Sequence, residues 1–318
     1  MNRTQRILAA VLAIQIILSV VAFWPRAART GGVVSLFPDW KVADVVAMAV
    51  TDNEGDAVRL RQVNGSWVLP EVEDYPAKAG TVTSVLEKIV ALDTRRLITR
   101  TSASHKQLQV GADTFLRRVE LETAGGARRT LYLGSSPSYG ATHIRVDGSD
   151  ETYLADDLTP WEFGVAPASW VDTAYFSVAQ DQLSAVMVKN AKGTLTFTRD
   201  AAGNWTLAEL PAGEQLATDT VSQVVSRATS VTLLKPLGKT KLPAYGLDNP
   251  LAVVTLQQKE GQPITLLIGA QDATDKSYAL HVSTSPYYVR VSEYAMKALV
   301  ENGVSEFLVP EATPTPQS

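Results

Sequence analysis

The chain has 318 residues, 45% of them hydrophobic and 19% charged, and it contains no Cys. The missing Cys excludes disulfide scaffolds, thiolate metal sites, thiol nucleophiles and a lipid-modified N-terminal Cys. The 29 basic and 33 acidic residues give a net charge of −4, which argues against nucleic-acid binding because that function needs a basic surface. The length and apolar content suit one large or two ordinary folded domains.

The first element is an apolar segment from Ile7 to Trp24 that carries no charged residue. As a helix it would extend about 27 Å, close to the ~30 Å hydrocarbon core of a bilayer. We predict an uncleaved signal-anchor over residues 1–25, because only a short tail precedes the segment and the sequence FWPR at its end is a poor cleavage site. The bulk of the chain would then lie outside the cytoplasm, held to the cell membrane by a single pass. A cleaved signal peptide is the alternative.

An internal repeat occupies the residues after this segment. The sequence NGSWVL, with Gly65 and Trp67, recurs as GNWTL, with Gly203 and Trp205. Both are followed by an amphipathic helix pattern with apolar residues at i, i+3, i+4 and i+7. Repeated spacing in the same order predicts two tandem copies of one unit. Three later pairs share a constant offset of 135, namely Gly111 with Gly246, Asp113 with Asp248, and Gly134 with Gly269.

The repeat sets the predicted domain boundaries. The first domain covers residues 34–163 and the second covers residues 173–302. The connector at 164–172 contains Pro and Trp and is expected to be packed rather than flexible. The tail at 303–318 ends in a Pro- and Thr-rich stretch that is predicted to be disordered.

Each copy has the same predicted elements. A first strand is followed by an alternating strand, a turn with Asn and Gly, a Trp-bearing strand, the amphipathic helix and four more strands. Closely spaced strands predict a mainly antiparallel sheet, so the fold class is α+β, with one helix on each sheet, after an N-terminal transmembrane helix. The predicted strands are 45–50, 116–123, 129–134, 142–146 and 151–155 in the first copy and 183–188, 251–258, 263–268, 277–282 and 287–291 in the second, with alternating strands around Val58 and Leu195.

A sequence box in the second copy suggests a family. Residues 244–256 read AYGLDNPLAVVTL and residues 266–270 read LLIGA. This resembles the bacterial family called domain of unknown function 4340, whose members commonly show a Tyr-Gly-Leu-Asp-x-Pro box, a strand, a polar turn and an Ile-Gly sequence. The first copy is more degenerate, with Val110, Ala112 and Phe115 at the positions where the family pattern has Tyr, Leu and Pro. The matching positions are Tyr245, Gly246, Leu247, Asp248, Pro250, Ile268 and Gly269, with Gly111, Asp113 and Gly134 kept in the first copy.

The resemblance implies a setting for the protein. Members of this family commonly have an N-terminal membrane helix and an extracytoplasmic region, and they often accompany auxiliary parts of ABC-type export or gliding-motility complexes. The expected partners are therefore membrane lipid, through the N-terminal helix, and protein subunits of a transport or envelope complex. The family brings no enzymatic activity, so we expect a non-enzymatic protein without catalytic residues, metal or cofactor.

The motif residues also have physical roles of their own. Gly246 can take a positive φ, and Asp248 can accept hydrogen bonds from the backbone of its turn. Trp67 and Trp205 beside their turns suit half-buried core positions. The alternative function uses these two rings, with Tyr287 and Tyr288, as the surface of an extracytoplasmic glycan- or peptide-binding module.

The remaining polar patterns contain no recognisable catalytic motif. His105, His143 and His281 stand apart, and the sequence GKT at 238–240 lacks the upstream Gly of a phosphate-binding loop. A hydrolase site assembled from distant carboxylates stays open as a third alternative.

Three adjacent Arg pairs are unusual, and on a strand only one Arg of each pair can join a common face. We expect ion pairs to Glu120 and Glu122 on an exposed sheet face, or a basic docking face. The pairs lie at 95–96, 117–118 and 128–129.

Overall fold

The computed structural model describes residues 32–309, together with Gln15. The predicted anchor from Ile7 to Trp24 lies outside the described residues apart from Gln15, and so does the end of the predicted tail at 310–318. Among the residues that are described, no helix is long and apolar enough to cross a membrane.

Two nine-stranded antiparallel sheets form the framework of residues 32–309. The first half contains β1 (Val45–Asp52), β2 (Ala57–Val63), β3 (Ser66–Leu69), β4 (Tyr75–Pro76), α1 (Ala79–Val90), β5 (Leu97–Thr99), α2 (His105–Leu108), β6 (Val110–Gly111), β7 (Thr114–Phe115), β8 (Arg117–Thr123), β9 (Arg128–Leu133), β10 (Ala141–Val146) and β11 (Thr152–Asp156). The second half contains β12 (Ala174–Ser177), β13 (Leu183–Asn190), β14 (Gly193–Arg199), β15 (Trp205–Leu207), α3 (Thr218–Thr229), β16 (Ser230–Gly238), β17 (Ala252–Gln258), β18 (Ile264–Gln271), β19 (Tyr278–Val282), β20 (Tyr288–Val291) and α4 (Glu293–Glu301). β6 and β7 form a separate two-stranded sheet.

The two large sheets share one strand order. From the Trp-bearing strand, the first runs β3-β2-β1-β8-β9-β10-β11-β5 and the second runs β15-β14-β13-β17-β18-β19-β20-β16. β4 extends one edge of the first sheet, and β12 extends the opposite edge of the second. The predicted antiparallel α+β class is confirmed, and the strands predicted from alternation agree with the observed bounds within a few residues.

Several elements were not predicted from the sequence. The expectation of one helix per sheet is wrong for the second sheet, because α4 also packs there with Met296 and Leu299 fully buried. Ser292 begins this helix, since its side chain accepts a hydrogen bond from the Ala295 amide. β16 was missed because it follows α3 directly and contains Pro236, a residue that usually argues against a strand.

The inner face of each sheet packs on its amphipathic helix. Alternate residues such as Met48 and Val50 in β1 and Val186 and Val188 in β13 are buried, as period-two alternation requires. The helix residues that face them are Val82, Val85, Leu86 and Ile89 in α1 and Val221, Val224, Val225 and Ala228 in α3. Most of the buried hydrophobic residues form one contiguous cluster that spans both halves. The two predicted domains therefore share a core.

The connector and the start of the tail belong to this core. Trp170 is fully buried, its indole N–H donates to the Gly164 carbonyl at 2.7 Å, and its own carbonyl accepts from the Lys78 amide at 2.6 Å. Phe307, within the predicted tail, is also fully buried with its ring centroid 5.2 Å from that of Phe197. The structured body therefore continues past residue 302.

One glycine in each sheet allows a loop to lie directly on the outer face. A Cβ added to Gly269 would overlap the Tyr245 carbonyl oxygen and would lie 2.9 Å from Leu247 Cδ2. A Cβ on Gly134 would overlap the Leu108 carbonyl oxygen and lie 2.6 Å from the Gln109 carbonyl oxygen. Neither position can hold a larger residue without moving backbone.

We expect the Gly269→Ala substitution to lower the free energy of unfolding by about 3 kcal/mol, because the new methyl group collides with backbone that cannot relax locally. The measurement is urea unfolding of the detergent-solubilised full chain, followed by tryptophan fluorescence. Gly125→Ala is the matched control, since a Cβ there would be 3.9 Å from its nearest neighbour, Thr123 Oγ1. Equal unfolding midpoints for the two variants would contradict the close approach.

Candidate functional site

The family-box residues lie on the outer face of the second sheet. Gly246 has φ of +64°, which confirms the predicted conformation, and it ends the 3-10 turn Pro243–Tyr245. The Tyr245 ring is buried with Leu247 and Ala279. The Asp248 carboxylate pairs with the Lys241 ammonium; the bond expected from the turn backbone to Asp248 is absent from the part of the chain that the structure describes. The box therefore fastens a loop to the sheet.

Trp67 and Trp205 offer no stacking surface. Trp67 is 6% exposed and Trp205 is 9% exposed, and the Arg199 guanidinium covers the Trp205 ring at 4.6 Å from the centroid. Tyr287 and Tyr288 are half-buried. A glycan would therefore find no open ring at either tryptophan. Gly65 and Gly203 have φ of +80° and +86°, as their turns require.

The predicted motif positions of the first copy lie near α2. Gly111 and Asp113 occupy the small hairpin of β6 and β7. Arg145 is buried beneath this hairpin, donates from Nε to the Val110 carbonyl at 2.7 Å and stacks on Tyr132 at 4.5 Å. This arrangement covers the outer face of β9 and β10.

A carboxylate joins the two sheets. Glu73, in the turn between β3 and β4, accepts hydrogen bonds from the amides of Lys239 at 3.0 Å and Thr240 at 3.2 Å. Gly238 takes φ of +97° and leaves room for this carboxylate, since a Cβ there would lie 3.1 Å from Glu73 Oε1. Hydrogen bonds from Thr240, and then from the Lys239 amide, lower the pKa of Glu73 despite an opposing contribution from desolvation. The GKT sequence thus binds an anion, but one supplied by the chain itself.

Aromatic residues complete this contact. The rings of Tyr75 and Tyr287 meet edge to face with centroids 4.6 Å apart, and the Tyr287 hydroxyl donates to the Asp74 carbonyl at 2.8 Å. Burial raises the pKa of Tyr75 to about 12. The Lys239 ammonium lies 5.0 Å from the centroid of the Tyr287 ring. The sequence carried no signal for this contact, because its partners are more than 160 residues apart.

An open groove runs along β1 on the outer face of the first sheet, with a volume of about 400 Å³. Ala47 and Ala49 form its floor, because their small side chains point outward between longer neighbours. The Arg wall, formed by Arg59 and Arg61, stands on β2. On the other side β8 carries the Glu wall, formed by Glu120 and Glu122. This groove is the candidate functional site.

Ion pairs surround the groove. Arg59 pairs with Glu71, and Arg61 pairs with Asp74 at 2.8 Å. The Glu wall has its own partners, Arg118 for Glu120 at 3.5 Å and Arg128 for Glu122 at 3.0 Å. The predicted pairs to Glu120 and Glu122 are confirmed, and only one Arg of each strand pair lies on this face, as predicted.

The second sheet has no such charges at the equivalent places. Strand pairing shows that Met187 takes the place of Ala49, and its neighbours are Thr196 and Thr255 where Ala49 has Arg59 and Glu120. In the adjacent row, Ala185 lies between Thr198 and Gln257, where Ala47 lies between Arg61 and Glu122. The two faces therefore share a framework and differ in charge.

The histidines are engaged separately. His105 Nε2 lies 2.9 Å from the Asp150 carbonyl oxygen, and His143 Nδ1 lies 3.0 Å from Ser135 Oγ. His281 Nε2 lies 3.0 Å from the Ser285 carbonyl oxygen, and its ring stacks on Tyr288. Desolvation lowers the pKa of His281. Across residues 32–309, no group of three potential metal-ligating side chains comes together.

Comparison with known proteins gives one family. A family model described as "Domain of unknown function (DUF4340)" matches residues 67–250, which is more than half of the chain. The match is a single one that begins in the first sheet and ends in the second. It confirms the resemblance, whereas two separate copies of the family domain are not found. No curated protein and no solved structure gives a significant match.

We expect the Glu73→Gln substitution to speed amide hydrogen exchange at Lys239 and Thr240 about threefold at neutral pH, because a neutral amide replaces a charged acceptor at an exposed contact. Exchange is measured by mass spectrometry on the peptide that covers residues 236–242. Glu71→Gln is the control, since Glu71 pairs within its own sheet. The same rate in both variants would show that the Glu73 carboxylate does not hold this segment.

This contact has a defined pH dependence. A carboxyl group whose pKa is lowered by folding stabilises the folded state above its ordinary pKa, and that stabilisation is lost as the pH falls through the lowered value. Below about pH 4.5, the ordinary Glu value, the ratio of exchange rates between Glu73→Gln and the unsubstituted protein should therefore fall towards one. A ratio that stays constant with pH would contradict the assigned cause.

Proposed function

The chain belongs to the DUF4340 family, and from this premise we propose that it is a non-enzymatic, membrane-anchored extracytoplasmic protein. Its role is that of an accessory or adapter subunit in an ABC-type transport complex or a gliding-like envelope complex. The observation that carries the proposal is the groove on the outer face of the first sheet, whose open form favours docking of a protein over enclosure of a small molecule.

The N-terminal sequence supports a position at the membrane. The segment from Ile7 to Trp24 is long and apolar enough for one pass. Fewer than ten residues separate Trp24 from Val33, so even a fully extended link spans only about 30 Å. The body of the protein would therefore lie close to the bilayer, where a membrane-embedded partner can reach its sheets.

We further infer that the two sheets descend from one duplicated unit. Their common strand order supports this, and so do Gly134 and Gly269, which both allow a loop to lie on the same part of the outer face. Since the two rows around Ala47 and Ala49 are charged and the equivalent rows of the second sheet are neutral, the two units have separate roles in this proposal. In this proposal the first unit, which carries the charged rows, docks the partner.

Affinity purification tests the adapter role. The tagged full chain, extracted from its native membranes in a mild detergent, should bring down integral membrane subunits or an ATPase of one complex in comparable amounts. The control is a protein in which the segment from Ile7 to Trp24 anchors an unrelated domain. If mass spectrometry finds no membrane or envelope subunit enriched over this control, the adapter role fails.

Cysteine labelling tests the topology, and the Cys-free sequence makes it direct. A Tyr139→Cys variant places one thiol at a fully exposed position. In intact spheroplasts a membrane-impermeant maleimide should label this variant, whereas an Asn2→Cys variant should be labelled only after permeabilisation. Labelling of Tyr139→Cys that also requires permeabilisation would reverse the topology. Absence of the Asn2 label from the mature protein would indicate cleavage.

A further inference from the structure

The charges of the groove are not needed for folding the sheet. The second sheet builds the same three-strand framework with Thr196, Thr198, Thr255 and Gln257 in place of the Arg and Glu walls. Exposed ion pairs contribute little to stability, about 0–1 kcal/mol each. The Arg and Glu walls therefore need an explanation other than the fold.

The walls present opposite charges in register. Arg59 and Glu120 face each other across Ala49, and Arg61 and Glu122 face each other across Ala47. Side chains on one face of a strand recur about every 6.8 Å, and two strands flanking a third are about 10 Å apart. The groove is therefore a channel with cations along one side and, along the other, carboxylates paired at their outer edge with Arg118 and Arg128.

The dimensions and charges select one type of occupant. An α-helix with its side chains is about 10–12 Å wide and is too broad to reach the Ala floor. An extended segment lying along β1 directs alternate side chains to opposite walls, and its own two-residue repeat matches the spacing of the walls. Acidic residues would meet the Arg wall, and the intervening basic residues would meet the Glu wall.

The groups around the groove can exchange partners. Arg59 is 62% exposed and Arg61 is 51% exposed, and both point to carboxylates at the groove margin rather than into the protein. An incoming carboxylate can therefore replace Glu71 or Asp74 without the burial of an unpaired charge. Because an adjacent array of opposite charges also penalises a segment in the wrong register, the channel favours specificity over affinity.

We propose that this groove docks an extended protein segment in which acidic and basic residues alternate. The inference deepens the proposed adapter function and rests on it for the setting, since the segment would belong to a subunit of the membrane complex. The residues that recognise it are the Arg wall and the Glu wall, with Ala47 and Ala49 allowing its backbone to approach the sheet.

A peptide assay tests the charge pattern directly. The probe is a fluorescent ten-residue peptide of alternating Glu and Lys, and the comparison peptide has five Glu followed by five Lys. Binding to the detergent-solubilised full chain is measured by fluorescence anisotropy at low and high salt. The alternating peptide should bind about tenfold more tightly than the block peptide, and the difference should shrink in high salt. Equal affinities, or no binding of either peptide, would overturn the proposal.

Matched variants locate the binding. The double substitution Arg59→Thr with Arg61→Thr installs the residues that the second sheet carries at the same places, and it should abolish the preference for the alternating peptide. Thr196→Ala with Thr198→Ala is the control and should retain the preference. Unchanged urea midpoints verify that both variants fold. A preference that survives in the Arg variant would place the binding elsewhere.

The same Arg variant separates this inference from the proposed function. If membrane subunits copurify equally with the Arg variant and with the unsubstituted chain, the adapter role stands and the groove is not the docking site. If the peptide preference is found but no subunit copurifies with either protein, the groove binds segments of this pattern and the adapter role fails.

Discussion

The structure depends on a short segment, residues 70–76, that belongs to the first sheet and holds the second. Glu73 reaches across to the amides of Lys239 and Thr240, where Gly238 leaves space for its carboxylate. Tyr75 adds an aromatic contact, and the contiguous hydrophobic core continues beneath it. A loop this rich in charge can make such a contact because backbone N–H groups are good partners for a carboxylate. The two sheets are therefore joined by hydrogen bonds at the surface and by hydrophobic packing in the shared core.

A common strand order and a divergent surface go together in this chain. The inner faces of both sheets are constrained by burial. Val, Leu and Met therefore recur at alternate positions, independently of which residues point outward. The outer faces carry no such constraint, and pairing register places Arg59 where the other sheet has Thr196. A single family match that runs across both sheets fits a chain whose halves are built together into one body.

The sequence was most informative where the role of a residue depends only on its immediate neighbours in the chain. Alternation located β1, β8 and their counterparts, and the turn glycines Gly65 and Gly203 were recognised from their positive φ requirement. The Arg pairs predicted the ion pairs on β8 and β9. It was least informative where a role depends on distant neighbours. Nothing in the local sequence distinguishes Ala47 and Ala49 as a groove floor. The ion pair between Asp248 and Lys241 likewise depends on the folded turn and could not be predicted from the sequence.

The groove and the contact between the sheets are mechanically connected through the same segment. Glu71 and Asp74 pair with the Arg wall on one side of residues 70–76, while Glu73 binds the second sheet on the other. Asp74 takes part in both, because its carboxylate holds Arg61 and its backbone carbonyl accepts from Tyr287. The charged groove therefore lies beside the contact between the two sheets. The acidic residues that pair with the Arg wall are thus direct chain neighbours of the residue that binds the second sheet.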